Sequence, residues 1–482
     1  MAKPLSQPKS SPKPSPTPWP GVPRAGLSAP QLLRQFRTLL PAKVLASWLA
    51  ELPQSFYQRA FTPLIILWYC SFQRLAATHT LTQVLGDARD GGADRLSPPG
   101  KPLSKRLRSN ATASYSDGRQ RLPWQIFAQT LERTARQIAS WVKGLDWQGW
   151  HVVLLDGSTF RLRPHGDIPK HFPPHRPGNC KKQPYWCVVR VVVGFSLATG
   201  AVIGCALGGL KASEQVLSAL LLTGSWAKTL LVGDRNFGVY SVVRVARAAS
   251  AQILVRLTGS RAAKLARSAK VRLAPGLDTP ITWTPSRHDQ CPQAMTPDPV
   301  AGRLLVLRAQ RPGFRPLTLY LFTTLTDAQT YSAAALAQLY GQRWQVELNL
   351  RYLKAQMGLD ALESHSADMA RKDWLAGLIA YNLIRSVMVA AAAQAQIPVL
   401  LLSFSRAREL LLLWLVRWAS RPQAVQAWER LLQAVAHCSH PRRRKPRPPE
   451  FRGIRFYQIQ FPKLEGSRAA ARKQLKIANA KS

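Results

Sequence analysis

At residue 151 the chain changes from helical spacing to strands, and that change constrains the fold more than any other feature. HVVLL (151–155) is a short apolar run that stops at Asp156. YWCVVRVVVGF (185–195) and AVIGCAL (201–207) follow, joined by SLATG, which reads as a hairpin turn. Then come a helix over about 213–224, the strand TLLVG (229–233) ending at Asp234, a helix over about 238–249 and the strand QILVRL (252–257). Each of two aspartates therefore directly follows an apolar strand. Between Leu257 and about Leu317, the runs VRLAPG, ITWTP, GRLLVLRA and LTLYLFT predict a small β-rich insertion, spanning about 259–317, whose last strand leads back into the core.

A second stretch carries most of the chemistry. In YGQRWQVELNLRYLK (340–354), Tyr340, Arg343, Glu347 and Lys354 fall within about a 60° arc of one helix. Leu336, Trp344, Leu348 and Leu350 supply apolar contacts on both sides of that row. Alone, this is an ordinary salt-bridged helix face, since Arg343 and Glu347 are a common i,i+4 pair. Alone, too, Asp156 in LLDGST and Asp234 in VGDRNF are ordinary turn or capping residues. The conjunction decides for function. The order β-β-β-α-β-α-β, closed by the Tyr340 helix, is that of a ribonuclease H-like domain, in which the two strands bearing Asp156 and Asp234 are neighbours. Glu347 on a helix over that edge makes a third carboxylate. Three such groups repel unless divalent cations lie between them, which points to two Mg²⁺ or Mn²⁺ ions and phosphoryl transfer. Arg343 and Lys354 are then phosphate contacts, and Tyr340 a hydrogen-bonding partner of the same strand.

Charge supports an anionic partner. The 482 residues include 67 Lys+Arg against 24 Asp+Glu, a formal net charge of +43. Nucleic acid relieves that self-repulsion best, and an anionic membrane surface is the alternative. Six cysteines with no CxxC pair suit a reducing, cytoplasmic setting. His165, His171, His175 and Cys180 match no common zinc spacing. The apolar stretch 374–404 is interrupted by Asn382, Arg385, Gln394, Gln396 and Pro398, so a buried helix pair is expected there rather than a membrane span.

The expected architecture is α/β: a ribonuclease H-like catalytic core with a β-rich insertion, flanked by an N-terminal helical domain and a C-terminal helical region. Residues 1–27 read as a disordered basic tail, 28–148 as a helical DNA-binding domain and 149–362 as the core. Residues 363–437 read as further helices and 438–482 as a basic flexible tail.

The pattern Y-x2-R-x3-E-x6-K at 340–354 resembles the signature of a large group of DDE transposases from bacterial insertion sequences. DGST and GDRNF are similar to that group's two aspartate motifs, and KASEQ around Glu214 and LIAYNLIR (378–385) add to the resemblance, which covers about 150–390. The irregular, proline-rich segment FRLRPHGDIPKHFPPHRPGNCKKQ fits only loosely. The resemblance implies cut-and-paste or related DNA transposition: a homodimer holds two transposon ends, water nicks the strand, and the freed 3′-hydroxyl attacks target DNA. It assigns Asp156, Asp234 and Glu347 to the metal and Tyr340, Arg343 and Lys354 to the DNA end. Some members stack a tryptophan from the insertion on a flipped base, for which Trp283 is the candidate here. Glu214 reads as a supporting or helix-capping residue. A nuclease of the same fold without joining, a non-catalytic DNA-binding derivative and a membrane-surface protein are the competing functions.

Overall fold

In the computed structural model, the described residues are 36–37, 39–52, 60–76, 80–142, 147–174, 186–286, 289, 295–309, 317–418 and 424–439, with 466–467, 469–470 and 473–474. The expected tails, 1–27 and nearly all of 438–482, lie outside them, as do His175 and Cys180. Helices α1 (Pro63–Ala76) and α2 (Trp124–Trp141) precede strands β1 (His151–Leu162), β2 (Cys187–Ser196) and β3 (Val202–Gly209). There follow α3 (Glu214–Leu221), β4 (Thr229–Gly233), α4 (Tyr240–Ala248), β5 (Gln252–Arg256) and α5 (Gly259–Ser268). Strands β6 (Asp278–Trp283), β7 (Val300–Ala309) and β8 (Leu317–Thr323) lead to α6 (Ala333–Gly341) and α7 (Trp344–Arg351). A two-residue strand β9 (Ala361–Leu362) and helices α8 (Ala367–Ala395), α9 (Phe404–Trp418) and α10 (Ala424–His437) complete this unit. A second unit comprises Arg308–Leu317 and His440–Ser482.

The sheet runs in the order β3-β2-β1-β4-β5-β8-β7-β6, with β9 beside β1. β1, β2 and β3 form an antiparallel meander, and β4 and β5 continue it parallel to β1. A mixed sheet with the order 3-2-1-4-5 and only its second strand reversed is the ribonuclease H-like arrangement. Alternate side chains face opposite ways. Val152, Leu154, Leu230, Val232 and Leu254 pack toward α1, α2, α8 and α10, while Val153, Leu155, Leu231, Ile253 and Val255 pack toward α3, α4 and α5.

The structure differs from the sequence reading in several places. β1 does not stop at Asp156. Its ladder with β4 ends at Leu154↔Val232, but β2 keeps pairing with it through Asp156↔Val193 to Leu162↔Cys187. The apolar run ended because one neighbour was lost, not because the strand was. In the insertion, 259–268 is helical, with the Thr258 hydroxyl accepting from the Arg261 N–H as its cap, and VRLAPG is no strand. Strands β6 to β8 extend the central sheet, β8 antiparallel to β5. The expected helix pair over 374–404 begins as one 29-residue helix, α8, which ends where Gln396 takes a left-handed φ of 52°. By length and composition α8 is apolar enough to cross a membrane, yet its apolar window is wholly buried in the protein, as befits a core helix.

β7 and β8 meet closely at Gly302, where a Cβ would overlap the Phe322 ring and the Thr323 carbonyl oxygen. Gly341, by contrast, has nothing within 4 Å. Gly302→Ala is therefore expected to lower stability by about 1–3 kcal/mol, and Gly341→Ala to leave it unchanged or raise it by up to about 1 kcal/mol. Urea midpoints of the two variants check this ordering; the reverse order would contradict the close β7–β8 packing.

Candidate active site

Asp156 sits in β1 where the ladder to β4 has just ended, and Asp234 follows the last residue of β4. Because Leu154 pairs with Val232 in parallel, Asp156 in β1 and Asp234 just past β4 each stand two residues beyond the last pair, at the same end of the sheet. Each carboxylate is anchored by a backbone N–H close by in the chain: Asp156 Oδ1 accepts from the Gly157 N–H at 2.8 Å, and Asp234 Oδ1 accepts from the Asn236 N–H at 2.8 Å. Burial pushes the Asp156 carboxyl up to about 6, against the Gly157 hydrogen bond; the Asp234 charge adds to the rise, Arg343 opposes it, and Glu214 adds further. This edge of the sheet stores an electrostatic cost in the metal-free protein, as active sites commonly do.

The signature stretch reaches the same place, although not as one helix. α6 ends at Gly341, Gln342 and Arg343 form a turn, and α7 starts at Trp344. After Arg351 the chain widens into a π-helical turn, Tyr352–Gln356. Glycine weakens the helix at 341, and the π turn leaves Leu353 buried while the Tyr352 ring stacks on Phe404 at 4.8 Å. The single-helix arc is thus replaced by two short helices joined by a bend, and Arg343 stands at the bend.

Arg343 is the hub. Its Nη2 lies 2.8 Å from Glu347 Oε1 and its Nη1 3.8 Å from Asp156 Oδ2. Burial works against its charge, but Tyr340, Glu347 and Asp156 outweigh that and hold its pKa above the ordinary arginine value. Tyr340 is 8% exposed. Burial raises its phenol, which also senses Arg343, Arg256 and Asp234. The structure therefore gathers Tyr340, Arg343, Glu347, Asp156 and Asp234 at one edge. Lys354 stands apart, its Nζ 3.8 Å from Asp360 Oδ1, and Asp360 also pairs with Arg161.

Other expectations fail. Trp283 is buried in the core, edge-on to Phe322 at 4.9 Å and to Tyr240 at 6.4 Å, so it is no base-stacking side chain in this conformation. Trp344, expected to pack, is 49% exposed. Glu214 does not cap α3, since the Ser213 hydroxyl accepts from the Val216 N–H. Its carboxylate instead lies over Gly157 and accepts from the Asn236 amide. Asn236 and Arg256 are the members of this edge that sequence reasoning did not single out, and Glu214, read there as supporting or capping, joins them.

The donor set suits a hard divalent cation: carboxylate oxygens from β1, the β4 loop, α3 and α7, around a glycine that leaves room beside Asp156. Among the described residues, however, no three such side chains already converge closely enough to hold a metal ion. The Arg343 guanidinium bridges Asp156 and Glu347.

Residues 147–383 match the family model of the transposase DDE domain. The chain carries a transposase DDE domain. All three carboxylates of its candidate site, and Tyr340, Arg343 and Lys354, fall inside the matched segment. A relative in Escherichia coli (strain K12), transposase InsG for insertion sequence element IS4, is 22% identical over 287 residues. That match takes in 58% of this chain and 62% of the relative, so the chain spans about three fifths of the relative's length. A cryo-EM structure of a piggyBac transposase synaptic complex with hairpin DNA aligns over 85% of this chain and 86% of that one, at 11% identity and a TM-score of 0.40.

Because the native state holds the Asp156 proton more tightly than the unfolded chain does, the contribution of Asp156 to stability falls as pH rises from about 4 to about 6 and is level above that. The shift of roughly two units corresponds to a cost on the order of 3 kcal/mol at pH 7. Asp156→Asn, which keeps the acceptor for Gly157, should stabilise the metal-free protein at pH 7 and much less at pH 4. Equal effects at both pH values in thermal melts would refute this electrostatic account.

Proposed function

We propose that this protein is a DDE transposase that cleaves DNA and transfers the cut strand of an insertion sequence, acting in the cytoplasm as a homodimer on the element's terminal inverted repeats and its target DNA. The observation that carries the reading is the parallel β1–β4 ladder, which ends at Leu154↔Val232 and so brings Asp156 and Asp234 out at the same end of the sheet, with Glu347 linked to Asp156 through Arg343. The match of 147–383 to the DDE family and the likeness to an insertion-sequence transposase support it. A net charge of +43 fits a polyanionic partner.

Asp156, Asp234 and Glu347 are the residues that would hold the cations. Two Mg²⁺ or Mn²⁺ ions, when bound, would supply charge to activate the attacking oxygen and stabilise the leaving one. In their absence Arg343 neutralises the carboxylates. With the carboxylates' charge offset by bound cations, the guanidinium would be free for a DNA phosphate beside the scissile bond, where its planar fork suits two oxygens. Tyr340, held at the bend, hydrogen-bonds the same strand, and Lys354 approaches the backbone from the π turn. The helices within 28–148 serve DNA-end binding, and the basic segment 438–482 adds sequence-independent contacts.

Two outcomes follow for purified protein on DNA carrying the flanks of its own gene. Glu347→Gln should abolish strand cleavage in saturating Mg²⁺ while end binding stays within about threefold, since it removes a cation-holding group and no phosphate contact. Cleavage retained by that variant contradicts the assignment, and cleavage by the wild type without joining favours a nuclease. Arg343→Ala should weaken end binding and reduce the salt dependence by about one counterion; an unchanged slope in binding titrations argues against a phosphate contact.

A further inference from the structure

Three features at the mouth of the sheet remain unexplained by the three-carboxylate site. The first is Glu214. It opens α3 beside β4, yet it does nothing for its own helix, which Ser213 caps. One carboxylate oxygen, Oε2, accepts from the Asn236 side-chain amide. The other, Oε1, lies against Gly157, with no hydrogen-bond donor among the described residues. The second is Asn236, which is held twice more by the next residue of α3: Gln215 Nε2 donates to its carbonyl at 2.9 Å and to its Oδ1 at 3.0 Å. Its own N–H donates to Asp234. The first turn of α3 thus fixes the loop that carries Asp234 and brings its own carboxylate beside Asp156.

The third is Gly157. It lies within β1, where its φ is not in the left-handed region, so the backbone does not require glycine. The space does. Any Cβ at 157 would overlap the Glu214 carboxyl group, whose atoms are the three nearest to that position. The residue after Asp156 is thus a cradle for this carboxylate. An anion held beside Asp156, whose carboxyl it already disturbs, is unfavourable unless a cation offsets it.

We propose that Glu214 is a fourth carboxylate of the cation site, acting with Asp156 and Asp234, and that Gly157 is glycine to make room for it. The inference rests on the cation-dependent reading above. It places the metal-holding groups on β1, the β4 loop and α3 as well as on α7. Glu347, ion-paired to Arg343 and 63% exposed in its side chain, would complete the set from α7.

The test is Mn²⁺ binding to the full-length protein without DNA, read from the electron paramagnetic resonance signal of free Mn²⁺, with thermal melts confirming that each variant is folded. Glu214→Gln keeps an oxygen that accepts from Asn236 but lacks the charge, and it should weaken Mn²⁺ binding by about tenfold or more. Gly157→Ala displaces the flexible end of Glu214 without touching its chemistry, and it should weaken binding in the same direction. Asp156→Asn is the control for the site itself. If Asp156→Asn loses Mn²⁺ while Glu214→Gln and Gly157→Ala bind as the wild type does, Glu214 is only a hydrogen-bond partner of Asn236 and the inference is overturned. If Asp156→Asn also binds normally, the cation site is not here, and the reading beneath the inference falls with it.

Discussion

The parallel ladder between β1 and β4 is the constraint on which the site depends. It covers only four residue pairs, but its register brings Asp156 and Asp234 out at the same end of the sheet, and its early end opens the sheet just where the two carboxylates emerge. Like charges on neighbouring strands destabilise the fold. The protein meets that cost in two ways: backbone N–H groups bond each carboxylate, and a single guanidinium is bent over the edge toward Asp156. Arg343 can do this because the chain breaks between α6 and α7, which places its side chain at the bend rather than along a continuous helix face.

Helix α8 holds that bend in place. Arg385 is buried, and among the described residues its partners are neutral: its Nη2 donates to Asn349 Oδ1 of α7 at 2.7 Å and its Nε to the Tyr381 hydroxyl at 2.9 Å. The charge lies over the rings of Tyr381, Phe404 and Tyr352 at 5.0–5.7 Å. Tyr381 in turn donates to the Gly200 carbonyl in the β2–β3 turn, and Asn382 makes two hydrogen bonds to the Val202 backbone. The segment LIAYNLIR thereby links the β2–β3 hairpin to the helix that bears Glu347. At the far end of the sheet, buried Arg303 pairs with Asp278 and donates to the carbonyls of Leu325, Asp327 and Tyr331. This fastens the β6–β7 strands to the loop that starts α6.

Much of this was legible in the sequence because it rests on local patterns. Strand runs ending at Asp156 and Asp234, and a helix bearing Glu347, follow from hydrophobic periodicity and turn residues. What was not legible rests on neighbours distant in sequence. That β1 continues past Asp156 depends on β2, whose VVRVVV run pairs with polar Gly157, Ser158 and Thr159. That Trp283 is core depends on Tyr240 and Phe322. That the Glu214 carboxylate lies beside Asp156 depends on the missing side chain of Gly157, far earlier in the chain. The bend at Arg343 was signalled by Gly341, but the spacing of Tyr340, Arg343, Glu347 and Lys354 fits an unbroken helix equally well, so periodicity alone favoured the wrong geometry.

The central claim is that one cation site is shared by groups on β1, the β4 loop and α7. Iron-directed hydroxyl-radical cleavage tests it most directly, since Fe²⁺ bound in place of Mg²⁺ cuts only the backbone around its own site. With ascorbate and peroxide, the full-length protein should be cut near 156–157 and 234–236, with a further cut near 347, and excess Mg²⁺ should suppress all three. Cuts confined to the histidine segment around His165 and His171, with none at 156 or 234, would contradict the account.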